Sequence, residues 1–131
     1  MNSTNLLELS YYRDPDPQLW LGRKDGPAQE RFFQIVQTLT PTQLPTCMTL
    51  DHFPTVALMG FASDEGVYRN QGRTGASFGP SAIRKALGNF PLALNSENPL
   101  QLFDLGDIVC ANNDLENAQQ LLEEQIQCYI R

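Results

Sequence analysis

The hydrophobic pattern is strongest between Thr55 and Phe90, where it predicts a strand, a loop and a helix in turn. An apolar run of strand length covers Thr55 to Ala62, as expected for a strand buried on both faces of a sheet. Ser63 to Phe78 contains three glycines and no apolar periodicity, which predicts a loop. A helix is then predicted to begin at Gly79 and Pro80, with a packed face made of Ile83, Ala86, Leu87 and Phe90 and a stop at Gly88 and Pro91.

A second strand and a long helix follow. Leu100 to Leu105 predicts the strand, Gly106-Asp107 predicts a turn, and Ile108 to Cys110 is compatible with an extension of the same run. Asn113 and Glu116 have the spacing of a capping box at the start of the helix. Apolar residues recur at steps of three and four along one face of this helix: Leu115, Ala118, Leu122, Ile126 and Tyr129. The glutamates lie on the other, solvated sides: Glu116, Glu123 and Glu124.

The chain before the first strand divides into an arm and a connector. Residues 1–27 are interrupted by prolines and glycines, which exclude a regular element of any length. The arm is nevertheless rich in large apolar residues, which we expect to clamp it onto the domain or onto a neighbouring subunit: Tyr11, Tyr12, Leu19 and Trp20. Residues 28–54 are expected to form a helix from about Ala28 to Leu39, followed by a proline-rich connector.

Residues 55–131 therefore have the order β-α-β-α. Two strands joined by a helix pair in parallel with a right-handed crossover. This order predicts a three-layer α/β fold, and 131 residues suit a single domain.

Composition narrows the class of partner. The net charge is −6 and there is no Lys/Arg cluster, which argues against nucleic-acid binding. No apolar run reaches the ~18 residues of a membrane span, and the first residues do not have the pattern of a secretory signal. Three cysteines without a CxxC pair favour reduced thiols and a cytoplasmic location. The single histidine, His52, is expected to be a loop residue and not a metal ligand.

The loop after the first strand holds the candidate chemistry. Gly72 to Pro80 combines glycines with a helix start, which can bind an anion, but it has no Gly-Lys-Ser/Thr ending, so loop shaping is favoured. Asp64 and Glu65 lie at the strand end where open α/β sheets bind ligands, and we expect a structural role for them. Arg69 and Arg73 either form salt bridges with these acids or offer a guanidinium fork to a substrate carboxylate.

At these residues the sequence resembles the arginase/agmatinase superfamily of ureohydrolases, and most of all its formimidoylglutamases. The stretch GFASDEGVYRNQGRTGASFGPSAIRKAL, followed by LFDLGDI, is similar to the first βαβ unit of that family. A second stretch, Leu19 to Asp25, is similar to a Trp-x-Gly-Arg-x-Asp segment near the start of those enzymes. The matching positions of the first stretch are Asp64, Gly66, Gly75, Gly79, Pro80, Ile83, Arg84, Asp104, Gly106 and Asp107.

The resemblance implies a fold, a reaction and a cofactor for the complete enzyme. The fold is a largely parallel sheet between two helix layers, of which this chain supplies the first β-α-β-α portion together with an N-terminal arm and helix. The reaction is hydrolysis of N-formimidoyl-L-glutamate to L-glutamate and formamide in histidine degradation, with two Mn²⁺ ions holding the hydroxide. Arg69, Asn70 and Arg73 become candidates for substrate contact, while loop-shaping roles are expected for Asp64, Gly66, Gly75, Gly79 and Pro80.

The family's metal-binding motifs (Gly-Gly-x-His, Asp-Ala-His-x-Asp and Asp-x-Asp-x-x-Asp-Pro) are not found in these 131 residues. The sequence therefore predicts an N-terminal segment of a formimidoylglutamase-like hydrolase that holds no metal, requires no cofactor by itself and is inactive alone. It also predicts self-association, because a strand with an unpaired edge is a template for pairing. Two alternatives stay open: an interaction module that docks on or complements a full-length homologue, and a small anion- or nucleotide-binding α/β domain.

Overall fold

The computed structural model describes residues 10–24, 26, 31–41, 43, 54–92 and 100–129. Within these ranges there are four strands and four α-helices, with single 3₁₀ turns at Pro17–Leu19 and Ala76–Phe78. In chain order the elements are β1 (Tyr12–Arg13), α1 (Phe32–Ile35), β2 (Gln37–Thr38), β3 (Thr55–Ala62), α2 (Glu65–Arg69), α3 (Gly79–Gly88), β4 (Gln101–Val109) and α4 (Leu115–Tyr129).

Strand β4 is the centre of the sheet. On one side it pairs in parallel with β3 along nearly its whole length. On the other side β2 pairs with it in parallel, opposite Phe103 and Asp104, and β1 pairs in antiparallel fashion, opposite Asp107 and Ile108. Because β3 and β2 are matched to the same β4 residues, they must lie on opposite sides of it. The parallel β3-α3-β4 unit confirms the α/β fold that the sequence predicts.

The expected turn at Gly106-Asp107 is instead a bulge inside one continuous strand. Leu58 is opposite Asp104 and Gly60 is opposite Asp107, so β4 has one more residue than β3 between these pairs. Gly106 absorbs the extra residue at φ +82°, a conformation that suits glycine. The bulge shifts the side-chain alternation, so Asp104 and Asp107 point to the same face although they are three residues apart.

Helices cover both faces of the sheet. On one face α4 packs through Ala118 against Ile108, and both residues are fully buried. On the other face α3 reaches the carboxylates of Asp104 and Asp107 through Arg84. The described part of the molecule is therefore a three-layer α/β/α arrangement, and the buried apolar residues Phe103, Leu105 and Ile108 of β4 lie on the face opposite Asp104 and Asp107.

The helix expected from about Ala28 to Leu39 is much shorter in the structure. It is limited to Phe32–Ile35, because Val36 is extended at ψ 136° and Gln37–Thr38 forms strand β2. Pairing with the outer edge of β4 outweighs the helical pattern of the apolar residues, since it satisfies backbone groups of both strands. Residues 28–30 and most of the expected connector, including His52, lie outside the described residues.

The packed face of α3 also differs from the predicted one, although the helix bounds agree. Arg84 and Gly88 are buried, whereas Ile83 is 64% exposed and Phe90 is 56% exposed. Two interactions rotate the helix this way. The carboxylates of Asp104 and Asp107 bind Arg84. Gly88 packs directly against the Leu21 backbone, because a Cβ atom added at Gly88 would lie only 2.8 Å from that backbone.

Helix α4 is capped one residue later than the expected capping box. Asp114, not Asn113, faces the first turn: its Oδ1 atom accepts from the Asn117 amide at 3.4 Å and its Oδ2 atom from the Asn117 side chain at 2.6 Å. Asn113 is in the left-handed region at φ +61°, which turns the chain into the helix. Glu116 is exposed, as expected, but it binds Arg69 of the loop instead of remaining free.

The N-terminal arm packs on its own domain, which was one of the two alternatives left by the sequence. Trp20 is only 4% exposed, and its indole Nε1 donates to Asp104 Oδ2 at 2.8 Å. The Arg13 guanidinium contributes a second anchor, because its Nη2 atom lies 2.6 Å from Asp107 Oδ2. Despite its prolines, the arm thus forms one short strand and one 3₁₀ turn.

Candidate functional site

The candidate site lies at the carboxyl ends of β3 and β4. A cleft of about 430 Å³ opens there, and its lining includes Asp64, Glu65, Ser77, Cys110 and Asn113. Because the two strands are parallel, the loops that follow them meet at one edge of the sheet, which is the usual ligand edge of α/β proteins. The segment from Ser63 to Phe78, expected to be a loop throughout, contains the short helix α2 and a 3₁₀ turn.

Asp64 holds the two ends of this loop together. Its Oδ1 atom accepts from the amides of Gly75 at 2.8 Å and Ser77 at 3.0 Å, and its Oδ2 atom accepts from Ser77 Oγ at 2.8 Å. These bonds, led by the Ser77 amide, stabilise the charged carboxylate and lower the pKa of Asp64. Gly75 is at φ +138°, a conformation that other residues adopt only with strain.

This arrangement also bears on the anion-binding alternative. The Gly75 and Ser77 amides belong to the Gly72–Pro80 loop, and both already bind the Asp64 carboxylate. A phosphate could use these two amides only by displacing this internal anion. This part of the loop is therefore built around its own carboxylate.

Arg69 ties the loop to helix α4. Its Nε atom lies 3.1 Å from Glu65 Oε1, and its two terminal nitrogens bind the Glu116 carboxylate. The Nη2 atom also donates to the Asn113 carbonyl at 3.1 Å. The hydrogen bond to Glu116, followed by that to Glu65, raises the pKa of Arg69, and the same contact lowers the pKa of Glu116. Arg69 therefore bridges the loops that follow β3 and β4.

The other two substrate-contact candidates have different positions. Asn70 is exposed, and its side-chain amide donates to the Gly66 carbonyl at 3.1 Å, which closes the end of α2. Arg73 is exposed and has no hydrogen bond or ion pair with any residue that the structure describes. The three candidates therefore differ: Arg69 and Asn70 hold the loop, whereas Arg73 makes no such contact with the residues that the structure describes.

The residues expected to shape the loop differ in how closely their neighbours pack against them. Gly66 lies inside α2, where a Cβ atom would come no closer than 3.8 Å to Leu115, and Gly79 has open space around it. Pro80 lies in the first turn of α3, as expected. The tightest position is one that sequence reasoning missed: a Cβ atom on Gly60 would be 2.0 Å from Asp107 Oδ1 and 2.7 Å from Pro80 Cβ.

Sequence reasoning also missed the buried ion cluster beneath the loop. The Nη1 atom of Arg84 donates to Asp107 Oδ1 at 2.7 Å, and Nη2 donates to Asp104 Oδ1 and the Gly106 carbonyl, both at 2.9 Å. Burial is the largest influence on the pKa of Arg84 and acts to lower it, but Asp107 and Asp104 together outweigh burial and raise it. The Asp104-Leu105-Gly106-Asp107 spacing, read as a bulged strand, could have indicated this cluster.

The described residues provide no set of side chains that could bind a metal ion. No group of three or more His, Cys, Asp or Glu side chains there is close enough to hold a metal ion. Asp104 and Asp107 are engaged with Arg84, and Asp64 is engaged with the loop amides. The two cysteines within these ranges, Cys110 and Cys128, are free thiols. Among the described helices, none combines the length and the apolar character that crossing a membrane requires.

A parallel β-α-β unit, with helices on both faces and a glycine-containing loop at the carboxyl ends of its strands, defines a three-layer α/β protein with part of an arginase-like fold. Comparison with known families agrees with this class. The arginase family model matches residues 54–131, more than half of the chain, and the chain belongs to the arginase family.

Similar curated proteins are named formimidoylglutamase. The chain is 44% identical to the Chromobacterium violaceum protein over 114 residues, which cover 85% of this chain and 33% of the relative. It is 43% identical over 112 residues to the protein from Legionella pneumophila strain Philadelphia 1, covering 86% and 33% respectively. It is 38% identical over 116 residues to the protein from Geobacillus sp. strain WCH70, covering 88% of this chain and 35% of the relative. The chain thus spans about a third of the length of these relatives.

Proposed function

We propose that this chain forms one rim of the active site of a formimidoylglutamase-like hydrolase. The proposed reaction of the whole enzyme converts N-formimidoyl-L-glutamate and water into L-glutamate and formamide, a step of histidine degradation. The similarity to proteins named formimidoylglutamase carries this proposal, because it extends over 85% of the chain and includes the loop after β3. The position of that loop at the carboxyl edge of the sheet supports it.

Arg73 is the residue we assign to the substrate. Formimidoylglutamate carries carboxylates, and a guanidinium binds a carboxylate with two parallel hydrogen bonds. Arg73 is exposed, and within the described part of the chain its charge is not engaged. Arg69 has a different role, because Glu65 and Glu116 occupy it on two sides. It positions the loop that presents Arg73.

Two manganese ions would supply the attacking hydroxide in the whole enzyme. The described residues of this chain do not fit such a pair of ions, since no group of three suitable side chains occurs among them. The carboxylates nearest the sheet edge are held by Arg84 and by the loop amides. We therefore propose that residues 1–131 alone do not hydrolyse the substrate and that they contribute the loop and not the metal site.

A continuous chimera tests this proposal. Residues 1–131 would replace the matching third of the Chromobacterium violaceum formimidoylglutamase, and formamide release would be measured with Mn²⁺ present. We expect activity from the chimera and none from residues 1–131 alone. Arg73→Gln should raise KM about tenfold or more, since a charged hydrogen-bonded contact is worth roughly 1.5–3 kcal/mol. Lys85→Gln, which removes an exposed charge from α3, should leave KM unchanged.

Two results would contradict the assignment. Formamide release by residues 1–131 alone would show that the metal site does not depend on the remaining two thirds. A folded, manganese-loaded chimera that is inactive on formimidoylglutamate would exclude the proposed substrate.

A further inference from the structure

Glu116 is the residue through which α4 reaches the loop after β3. Its two carboxylate oxygens accept from the two terminal nitrogens of Arg69, with a distance of 3.2 Å between Arg69 Nη2 and Glu116 Oε2. Such a bidentate pair fixes the orientation of the guanidinium as well as its position. Glu116 is exposed, so this interaction, and not burial, orients its carboxylate.

Arg69 also joins two residues that line the cleft. Its Nε atom lies 3.1 Å from Glu65 Oε1, and its Nη2 atom donates to the Asn113 carbonyl at 3.1 Å. Asn113 is at φ +61° and Asn112 at φ +51°, so two consecutive residues of this turn are in the left-handed region. That conformation persists where neighbouring contacts hold it, and Arg69 supplies one of them. A single exposed ion pair contributes little, whereas these contacts form a network around one guanidinium.

The loop after α2 is held at two points, one on each side of Arg73. The Gly72 amide donates to the Val67 carbonyl at 2.9 Å, which ties the start of the loop to α2. The Gly75 amide donates to Asp64 Oδ1 at 2.8 Å. Because only two residues lie between these points, a shift of α2 must also shift the backbone of Arg73.

Loss of the ion pair should change the orientation of α2 without unfolding the chain. Helix α2 also packs on α4 through Gly66, where an added Cβ atom would lie 3.8 Å from Leu115 Cδ2. This contact does not depend on the charge of Glu116. Helix α2 should therefore stay beside α4 when Glu116 is replaced, while the bidentate contact that fixes its orientation is lost.

We propose that Glu116 is a positioning residue for substrate binding, acting through Arg69 on the loop that carries Arg73. This inference rests on the proposed function, in which Arg73 binds a carboxylate of the substrate. Glu116 itself does not contact the substrate. It sets the direction in which α2 presents Arg73, so its loss should raise KM and leave the hydrolysis of bound substrate unchanged.

Steady-state kinetics of the chimera with the Chromobacterium violaceum relative test this role. With Mn²⁺ present, Glu116→Gln should raise KM about three- to tenfold and leave kcat within about twofold. Arg69→Gln should raise KM at least as much, and the double variant should match Arg69→Gln, because both substitutions break the same link. Glu123→Gln is the matched control: it removes the same charge about two turns later on the same side of α4 and should leave KM unchanged.

A second background separates positioning from a general loss of structure. If Glu116 acts by presenting Arg73, then Glu116→Gln should change KM less than about twofold in a chimera that already carries Arg73→Gln. An equal rise in KM with and without Arg73 would overturn the inference. So would an unchanged KM in the active chimera, or a lower kcat with KM unchanged.

Hydrogen–deuterium exchange of residues 1–131 tests the same link without substrate. Glu116→Gln should make the amides of residues 70–72 exchange several-fold faster, and Glu123→Gln should not. Unchanged exchange in the Glu116 variant would overturn the inference whether or not the chimera is active. Formamide release by the unsubstituted chimera tests the proposed function, so failure of that function is distinguishable from failure of Glu116 to act on the loop.

Discussion

Arg84 and Asp104 form a buried ion pair between α3 and β4. The Nη2 atom of Arg84 lies 2.9 Å from Asp104 Oδ1, and the Arg84 Nε atom lies 2.9 Å from Asp104 Oδ2. The second contact is ionic and not a hydrogen bond, because the Nε–H group is not aligned with the carboxylate. Both side chains are almost fully buried, at 5% and 0% exposure. This pair joins the helix, the bulged strand and, through Trp20, the N-terminal arm.

The first prediction concerns removal of this cation. Arg84→Met should lower the free energy of unfolding by about 3–5 kcal/mol, because it leaves the buried Asp104 and Asp107 carboxylates without their common partner. Urea denaturation followed by circular dichroism measures the change. Lys85→Met, on the exposed side of the same helix, should change it by less than about 0.5 kcal/mol. If Arg84→Met lowers the free energy of unfolding by less than about 1 kcal/mol, the buried ion cluster is not important for stability.

A second prediction compares two glycines. Gly60→Ala should destabilise the chain by roughly 1–3 kcal/mol, since the new methyl group would overlap Asp107 Oδ1 and Pro80 Cβ. Gly79→Ala has open space and lies in a helix, so it should be neutral or stabilise by up to about 1 kcal/mol. Thermal melts of the two variants, measured side by side, provide the test. Equal effects would show that β3 and α3 are not packed as closely as described.

The third prediction concerns pH. The folded pKa of Asp64 is lowered, so the unfolded chain binds more protons at this group in acid. Its contribution to stability is therefore complete above the ordinary carboxyl pKa of 3.8 and is lost as the pH falls through the lower folded value. A ¹³C NMR titration of the Asp64 carboxyl measures that value directly.

Two serine variants identify the cause of this shift. Ser77→Ala removes the hydroxyl donor to Asp64 and should move the Asp64 pKa back toward its ordinary value. Ser81→Ala removes a hydroxyl from α3 that does not bind Asp64, and it should leave the titration unchanged. If both variants titrate alike, the Ser77 hydroxyl does not contribute to the lowered pKa.

The fourth prediction separates the two arginines of the loop. Arg69→Gln breaks the link to Glu65 and Glu116, so the amides of α2 and of residues 70–72 should exchange hydrogen several-fold faster. Arg73→Gln should leave this exchange unchanged, because Arg73 has no partner within the described ranges. Hydrogen–deuterium exchange with mass spectrometry resolves these segments. Faster exchange in the Arg73 variant would assign a structural role to that residue.

Local signals in the sequence identified the elements of the central unit. The apolar run at Thr55–Ala62 and the Gly79-Pro80 start of α3 have the predicted bounds, because both depend on neighbouring residues alone. The motifs around Asp64 and Asp104 identified the family for the same reason, since the loop and the bulged strand leave a pattern in consecutive residues. The parallel order of β3 and β4 followed from the helix between them.

Contacts between distant segments decided the rest. Gln37–Thr38 is a strand and not part of a helix, because β4 offers it a partner more than sixty residues away. The packed face of α3 is set by Arg84 and not by Ile83, because a one-residue bulge at Gly106 turns two carboxylates toward the helix. Arg69 is a bridge because the fold brings Glu116 of α4 within reach of its guanidinium. Sequence periodicity records only local burial, whereas these choices depend on which charges and backbone edges the fold brings together.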